Sequence, residues 1–215
     1  MAGLFGDSKR DVCWIEQHPS EALSKFVSEG LLWITGCSDK NLCGTAAAQV
    51  DEHLIEALAL VSNDSPSAWQ EHGRWFGDIR ARKLRYDLKL RMVGAVQLVV
   101  RQTASSLRHV LSAQVTGAAQ LCELAVIIVD PGAPAQALHY DTPLLDDVGD
   151  ISVEDEPALI TIFVPLQDIS SRMGATCLLP ATHTSVEAVR QISSRSHEIC
   201  ACSLRLYASE LFEIF

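Results

Sequence analysis

At 215 residues, 48% of them hydrophobic and 20% charged, the chain is long enough to bury one substantial core and shows no sign of a second. Its 17 basic and 27 acidic side chains leave a net charge of −10, which argues against a general affinity for nucleic acid or an anionic membrane, because both need a basic face. No apolar run is long enough to span a bilayer, no signal-like segment follows the N-terminal basic residues, and the seven cysteines form no paired CxxC motifs. The expectation is a single intracellular domain over 1–215, with reduced thiols and a small-molecule substrate.

Residues 19–34, PSEALSKFVSEGLLWI, open with Pro19 and Ser20 and carry Glu21 in the first turn. Leu23, Phe26 and Val27 share a face before Gly30, which predicts a short amphipathic helix with a glycine stop, running into a strand-like LLWIT. A second helix is expected over 44–62, closed by the Asn63 to Pro66 turn cluster. Leu84 to Met92 alternates apolar and charged residues at period two, as a half-buried strand does. Its charges, together with Arg80, Arg82 and Lys83, are expected on a solvated face, the alternative being a rim that steers anions. Val96, Val99, Val100, Leu107, Val110 and Leu111 recur at helical spacing and predict a third helix over 94–114.

Beyond residue 115 the pattern changes to short apolar or β-branched runs, CELAVIIVD, AQALHYD, ALITIFVPL and TCLLPAT, separated by Pro, Gly, Asp or Ser. Helices first and strands later describe an α+β chain whose chemistry sits on a sheet. There, two residues apart, stand His139 and Asp141. On a strand they point to the same face while Tyr140 points away. One imidazole, one carboxylate and a later histidine make the facial set that leaves coordination positions of Fe(II) open for a keto acid and dioxygen.

The segments ELAVIIVDPGAPAQALHYDTPLL and PALITIFVPLQDISSRMGATCLLPATHT together resemble the phytanoyl-CoA dioxygenase-like family of iron(II)/2-oxoglutarate-dependent oxygenases. The likeness lies in a strand ending in a Pro-Gly turn, then Gln136, His139 and Asp141, then VPLQD, a turn at Gly174, and LPATH; LSKFVSEGLLWI is similar to the family's opening. The resemblance implies N-terminal helices over 1–115 packed on a cupin-like double-stranded β-helix, or jelly roll, over 116–184. It also implies His139 and Asp141 as metal ligands, Fe(II) as cofactor, and 2-oxoglutarate and dioxygen as cosubstrates. The activity implied is hydroxylation of a small organic or acyl substrate, coupled to decarboxylation of 2-oxoglutarate to succinate.

The family's third ligand is a later histidine, followed by an arginine for the distal carboxylate of 2-oxoglutarate. The tail over 185–215 has no Gly-Asp turn and does not read as the strands that would close the barrel, so the β-helix is expected to lack its last strands. His197 is the best-spaced substitute, with Arg205 eight residues on, and His183 is expected to serve as structural support. His18, His53, His72 and His109 are expected on the surface. The alternative to an active oxygenase is a catalytically inactive or truncated member acting as a binding or scaffold protein. A GxSxG elbow, a Walker loop, HExxH and GxGxxG are all absent from the sequence.

Overall fold

A computed structural model of the chain describes residues 15, 18–34, 36–61, 72–77, 83–115, 120–136, 139, 159–183 and 205–207. Within these residues helices and antiparallel strands are mixed, as expected of an α+β chain. The first helix, α1, spans Pro19–Glu29. Pro19 suits its opening turn because the missing N–H has no intrahelical partner there. Gly30 ends it in the left-handed conformation (φ 69°) and donates its N–H to the carbonyl of Phe26. The strand expected directly after Gly30 does not form over 31–34, which is irregular chain.

The second helix, α2, spans Lys40–Val61 and starts four residues before the expected Gly44. Its true start signal is Asp39, whose Oδ1 accepts the Leu42 N–H at 2.9 Å. That is an N-cap bond satisfying one of the orphan donors of the first turn. Gly44 lies inside the helix, and a Cβ there would meet nothing within 4 Å, so no packing contact requires glycine.

The strand β1, Arg85–Lys89, pairs antiparallel with β2, Ala125–Val129, in the register Arg85↔Val129 to Lys89↔Ala125. Backbone bonds from Leu90 to Leu124 and from Asp130 to Leu84 extend the ladder at both ends. An isolated antiparallel bridge, Phe76↔Leu88, borders β1 on its other edge. The helix α3, Gly94–Gln114, occupies the predicted span. Its first turn is capped from α2: Gln49 Oε1 accepts the N–H groups of Ala95 (2.9 Å) and Val96 (3.4 Å), and Gln49 Nε2 donates to the Val93 carbonyl. Gly94 (φ 57°) is what lets that amide approach, since a Cβ there would stand 2.7 Å from Gln49 Oε1.

Two apolar clusters hold these elements. In the larger, Cys43, Ala46, Val50 and Ala57 of α2 and Val96 and Val99 of α3 pack on Leu88, Trp75 and Phe76, with Tyr86, Val126 and Ile128 alongside. Leu88 is fully enclosed, and burying such a side chain contributes about 1.5–3 kcal/mol. In the smaller cluster Ala22 of α1 meets Leu107 and Val110 of α3 and Ile15, joined by Phe26, Leu32, Ile34 and Ile162. Ile162 follows β3, Leu159–Thr161, which pairs antiparallel with β4, Arg205–Tyr207. The ALITIFVPL run is thus a strand for only three residues, and the tail, expected to contain no closing strand, supplies β4. The described strands form two two-stranded sheets; AQALHYD and TCLLPAT contribute no named strand among the described residues.

Candidate active site

Alternation along β1 divides its side chains between two faces. Tyr86 and Leu88, with Val126 and Ile128 of β2, face the helices. Arg85 and Asp87 therefore face the other way, along with Ala125, Ile127 and Val129 of β2. The sequence pattern predicts this alternation, and Lys83, Lys89 and Arg91 are exposed as a solvated face requires, but for Arg85 and Asp87 that expectation is overturned. Arg85 is 3% exposed and Asp87 8%. On that face Lys89 reaches solvent, whereas Arg85 and Asp87 are interior groups.

The chain leaves β2 through a tight turn, with the Ala133 N–H on the Asp130 carbonyl and Gly132 at φ 86°, the left-handed position a type II turn reserves for glycine. This turn brings the next segment back toward β1, where Arg85 Nη2 donates to the Pro134 carbonyl at 3.0 Å. Gln136, two residues on, is buried, and His139, three further, is half-buried. Asp87 is held in place by a close approach of backbone. The Gly77 N–H donates to the Asp87 carbonyl at 2.8 Å, and the Asp87 carboxylate lies where a Cβ on residue 77 would be. Arg85 and Gln136 thus furnish buried polar groups at the stretch that delivers His139, and Asp87 shares the Arg85 face of β1.

The other site residues expected from sequence fall differently. Asp141, His197 and the side chain of Arg205 lie outside the described residues, although the Arg205 backbone belongs to β4. Among the described residues no three His, Cys, Asp or Glu side chains converge on a point that could hold a metal ion. His183 is turned toward α1, with Nε2 at 3.0 Å from the Val27 carbonyl, in keeping with a supporting role. His53 is half-buried and not fully exposed: its ring packs on Trp75 (centroids 4.8 Å apart) and its Nε2 lies 3.2 Å from the Lys89 carbonyl. Arg91 covers the same indole, with its guanidinium carbon 5.1 Å from the ring centre. Cys37, Cys43, Cys122 and Cys177 form no disulfide. Burial pushes the Cys37 thiol up to about 11 from its ordinary value of 9.

Arg85 and Asp87 are the site candidates that sequence reasoning missed. The signal was present: amphipathic helices at 44–62 and 94–114 must bury an apolar face against something, and Tyr86 and Leu88 were available for it. Which face of β1 then remained for Arg85 was legible; that it would be covered was not.

A family model of phytanoyl-CoA dioxygenase matches residues 26–198. The chain therefore belongs to the phytanoyl-CoA dioxygenase family, a family of oxygenases of the iron(II)/2-oxoglutarate type. No curated protein and no solved structure matches it. No helix among the described residues is long and apolar enough to cross a membrane.

Proposed function

We propose that the chain is an iron(II)- and 2-oxoglutarate-dependent dioxygenase that hydroxylates a small organic or acyl substrate. In the overall reaction one oxygen atom of dioxygen enters the substrate C–H bond and the other enters 2-oxoglutarate, which leaves as succinate and carbon dioxide. The observation that carries this reading is the buried polar face of β1, with Arg85 bonded to the segment that runs through Gln136 to His139. A covered cationic group beside a histidine-bearing segment suits a dianionic cosubstrate, since a guanidinium recognises a carboxylate with two parallel hydrogen bonds.

In this reading His139 and Asp141 hold the metal, an imidazole and a carboxylate being a donor pair that suits Fe(II). The iron would supply dioxygen activation. The protein supplies ligand placement and a covered pocket. Arg85, and not only an arginine of the tail such as Arg205, is a candidate partner for a 2-oxoglutarate carboxylate. β1–β2 and β3–β4 would be parts of one double-stranded β-helix in a single domain.

The test is an anaerobic titration of the full chain with Fe(II) and 2-oxoglutarate, following the visible charge-transfer band of the chelated keto acid. A band lost in His139→Ala and in Asp141→Ala is expected. A folded protein that gives no band would instead make the chain an inactive member that works as a binding or scaffold protein.

A further inference from the structure

The Leu179–His183 turn meets the C-terminal end of α1 at two points. The Ala181 N–H donates to the Glu29 carbonyl at 2.6 Å, and His183 Nε2 lies 3.0 Å from the Val27 carbonyl. Both acceptors belong to the last turn of α1, whose carbonyls have no partner within the helix. A turn some 150 residues downstream in sequence thus does what a local capping motif ordinarily does. The Thr182 hydroxyl closes the turn on itself by donating to the Leu179 carbonyl at 2.9 Å.

The fit is reciprocal. The His183 side chain fills the space in front of Gly30: a Cβ on residue 30 would overlap the imidazole and stand 2.8 Å from His183 Cβ. Because His183 Cβ is itself involved, turning the ring away would not make room. The turn also carries backbone strain, since Ala181 sits at φ 58° in the left-handed region that alanine enters at a cost. Such a conformation persists only where surrounding contacts hold it, and here they are the two hydrogen bonds to α1 together with the Thr182 bond within the turn. Ala181 and His183 are exposed, and the contact lies at the edge of the cluster in which Ala22 and Phe26 anchor α1.

We infer that Gly30, Ala181 and His183 form a clasp that releases the Leu179–His183 turn from α1 while both apolar clusters stay packed. His183 is a positioning residue in it and not a metal ligand. A strained, exposed contact of two hydrogen bonds belongs to the low-stability end of a fold, whereas Leu88 belongs to the other end.

The test is amide hydrogen exchange on the full chain. Ala181 exchange is expected to be independent of low urea concentrations, as local opening is, while the Leu88 amide exchanges with a steep urea dependence; equal dependences overturn the clasp. Gly30→Ala should speed Ala181 exchange by about a hundredfold, and adding His183→Gly should recover about tenfold of that. Effects that simply add overturn the reciprocal fit.

Should Gly30→Ala not fold, His183→Gln and His183→Phe give a milder pair. The glutamine amide can reach the same carbonyl and should stay within about threefold of the parent, while phenylalanine, without a donor, should exchange about tenfold faster. Indistinguishable variants overturn the assignment of the hydrogen bond. Co(II) binding by His183→Gln should match that of the parent, and its selective loss would make His183 a ligand. This last arm alone rests on the oxygenase reading: a parent that binds no Co(II) would count against that reading while the exchange data still decide the clasp.

Discussion

The two faces of the β1–β2 sheet solve opposite problems with the same five-residue strand. Toward the helices, Leu88 and Tyr86 sit among α2, α3, Val126 and Ile128, where apolar area removed from water is the whole of the argument. Toward the other side, Arg85 and Asp87 are buried just as deeply but add nothing to that term, and removing charges from water costs free energy that hydrogen bonds must offset. The apolar face shows where stability resides, and the polar face is where the proposed 2-oxoglutarate contact would offset the cost of burial. The helical face can be replaced by other apolar groups of like volume. The polar face is defined by the identity of its groups.

The sharpest way to break that contrast is to attack the apolar face alone. Leu88→Ala empties a fully enclosed position and should cost about 2–5 kcal/mol in urea-induced unfolding, with the 2-oxoglutarate affinity of the remaining folded protein unchanged. The converse substitution, Arg85→Met, keeps much of the side-chain volume and removes the charge. It should weaken 2-oxoglutarate binding by about ten- to a hundredfold in a calorimetric titration, the worth of one or two charge-assisted hydrogen bonds. If it lowers stability as much as Leu88→Ala and leaves binding alone, the division between the faces fails.

Gly77→Ala tests the polar face from behind. A methyl group there meets the buried Asp87 carboxylate, and a loss of about 1–3 kcal/mol is expected by the same unfolding assay. The smallest effect belongs to a group outside both faces. The Cys37 thiol has its pKa raised by burial, from 9 to about 11, so folding favours its protonated form. Its contribution to stability is complete below pH 9 and is lost as pH rises from 9 toward 11. Below pH 9, Cys37 should also react with iodoacetamide more slowly than the exposed Cys122 and Cys177, as peptide mass mapping would show.

Much of the helical layer was legible in the sequence because its signals are local. Val96 to Leu111 repeat at the helical period and the helix stands where that period puts it. Gly30 ends α1 because no other residue enters the left-handed conformation so cheaply. The start of α2 was misplaced because Gly44 drew the boundary away from Asp39, a stronger signal five residues earlier than the helix was expected to begin. The site was legible only as a motif. His139 could be named from its neighbours in sequence, but the burial of Arg85 depends on a chain segment returning 49 positions later, and no local pattern encodes that return. His183 is a similar case: its supporting role could be expected, but its acceptor on α1 could not be read from LPATH.

Gln49 bears on how the molecule assembles. A helix with a local cap can begin its first turn before anything else is in place, whereas the amides of Ala95 and Val96 are satisfied by a side chain of α2. The start of α3 is therefore a long-range contact, formed when the two helices dock across β1. Formation of that turn should track docking of the larger cluster and not helix initiation, so that Gln49→Leu chiefly speeds unfolding, where loss of a local cap formed early would slow folding.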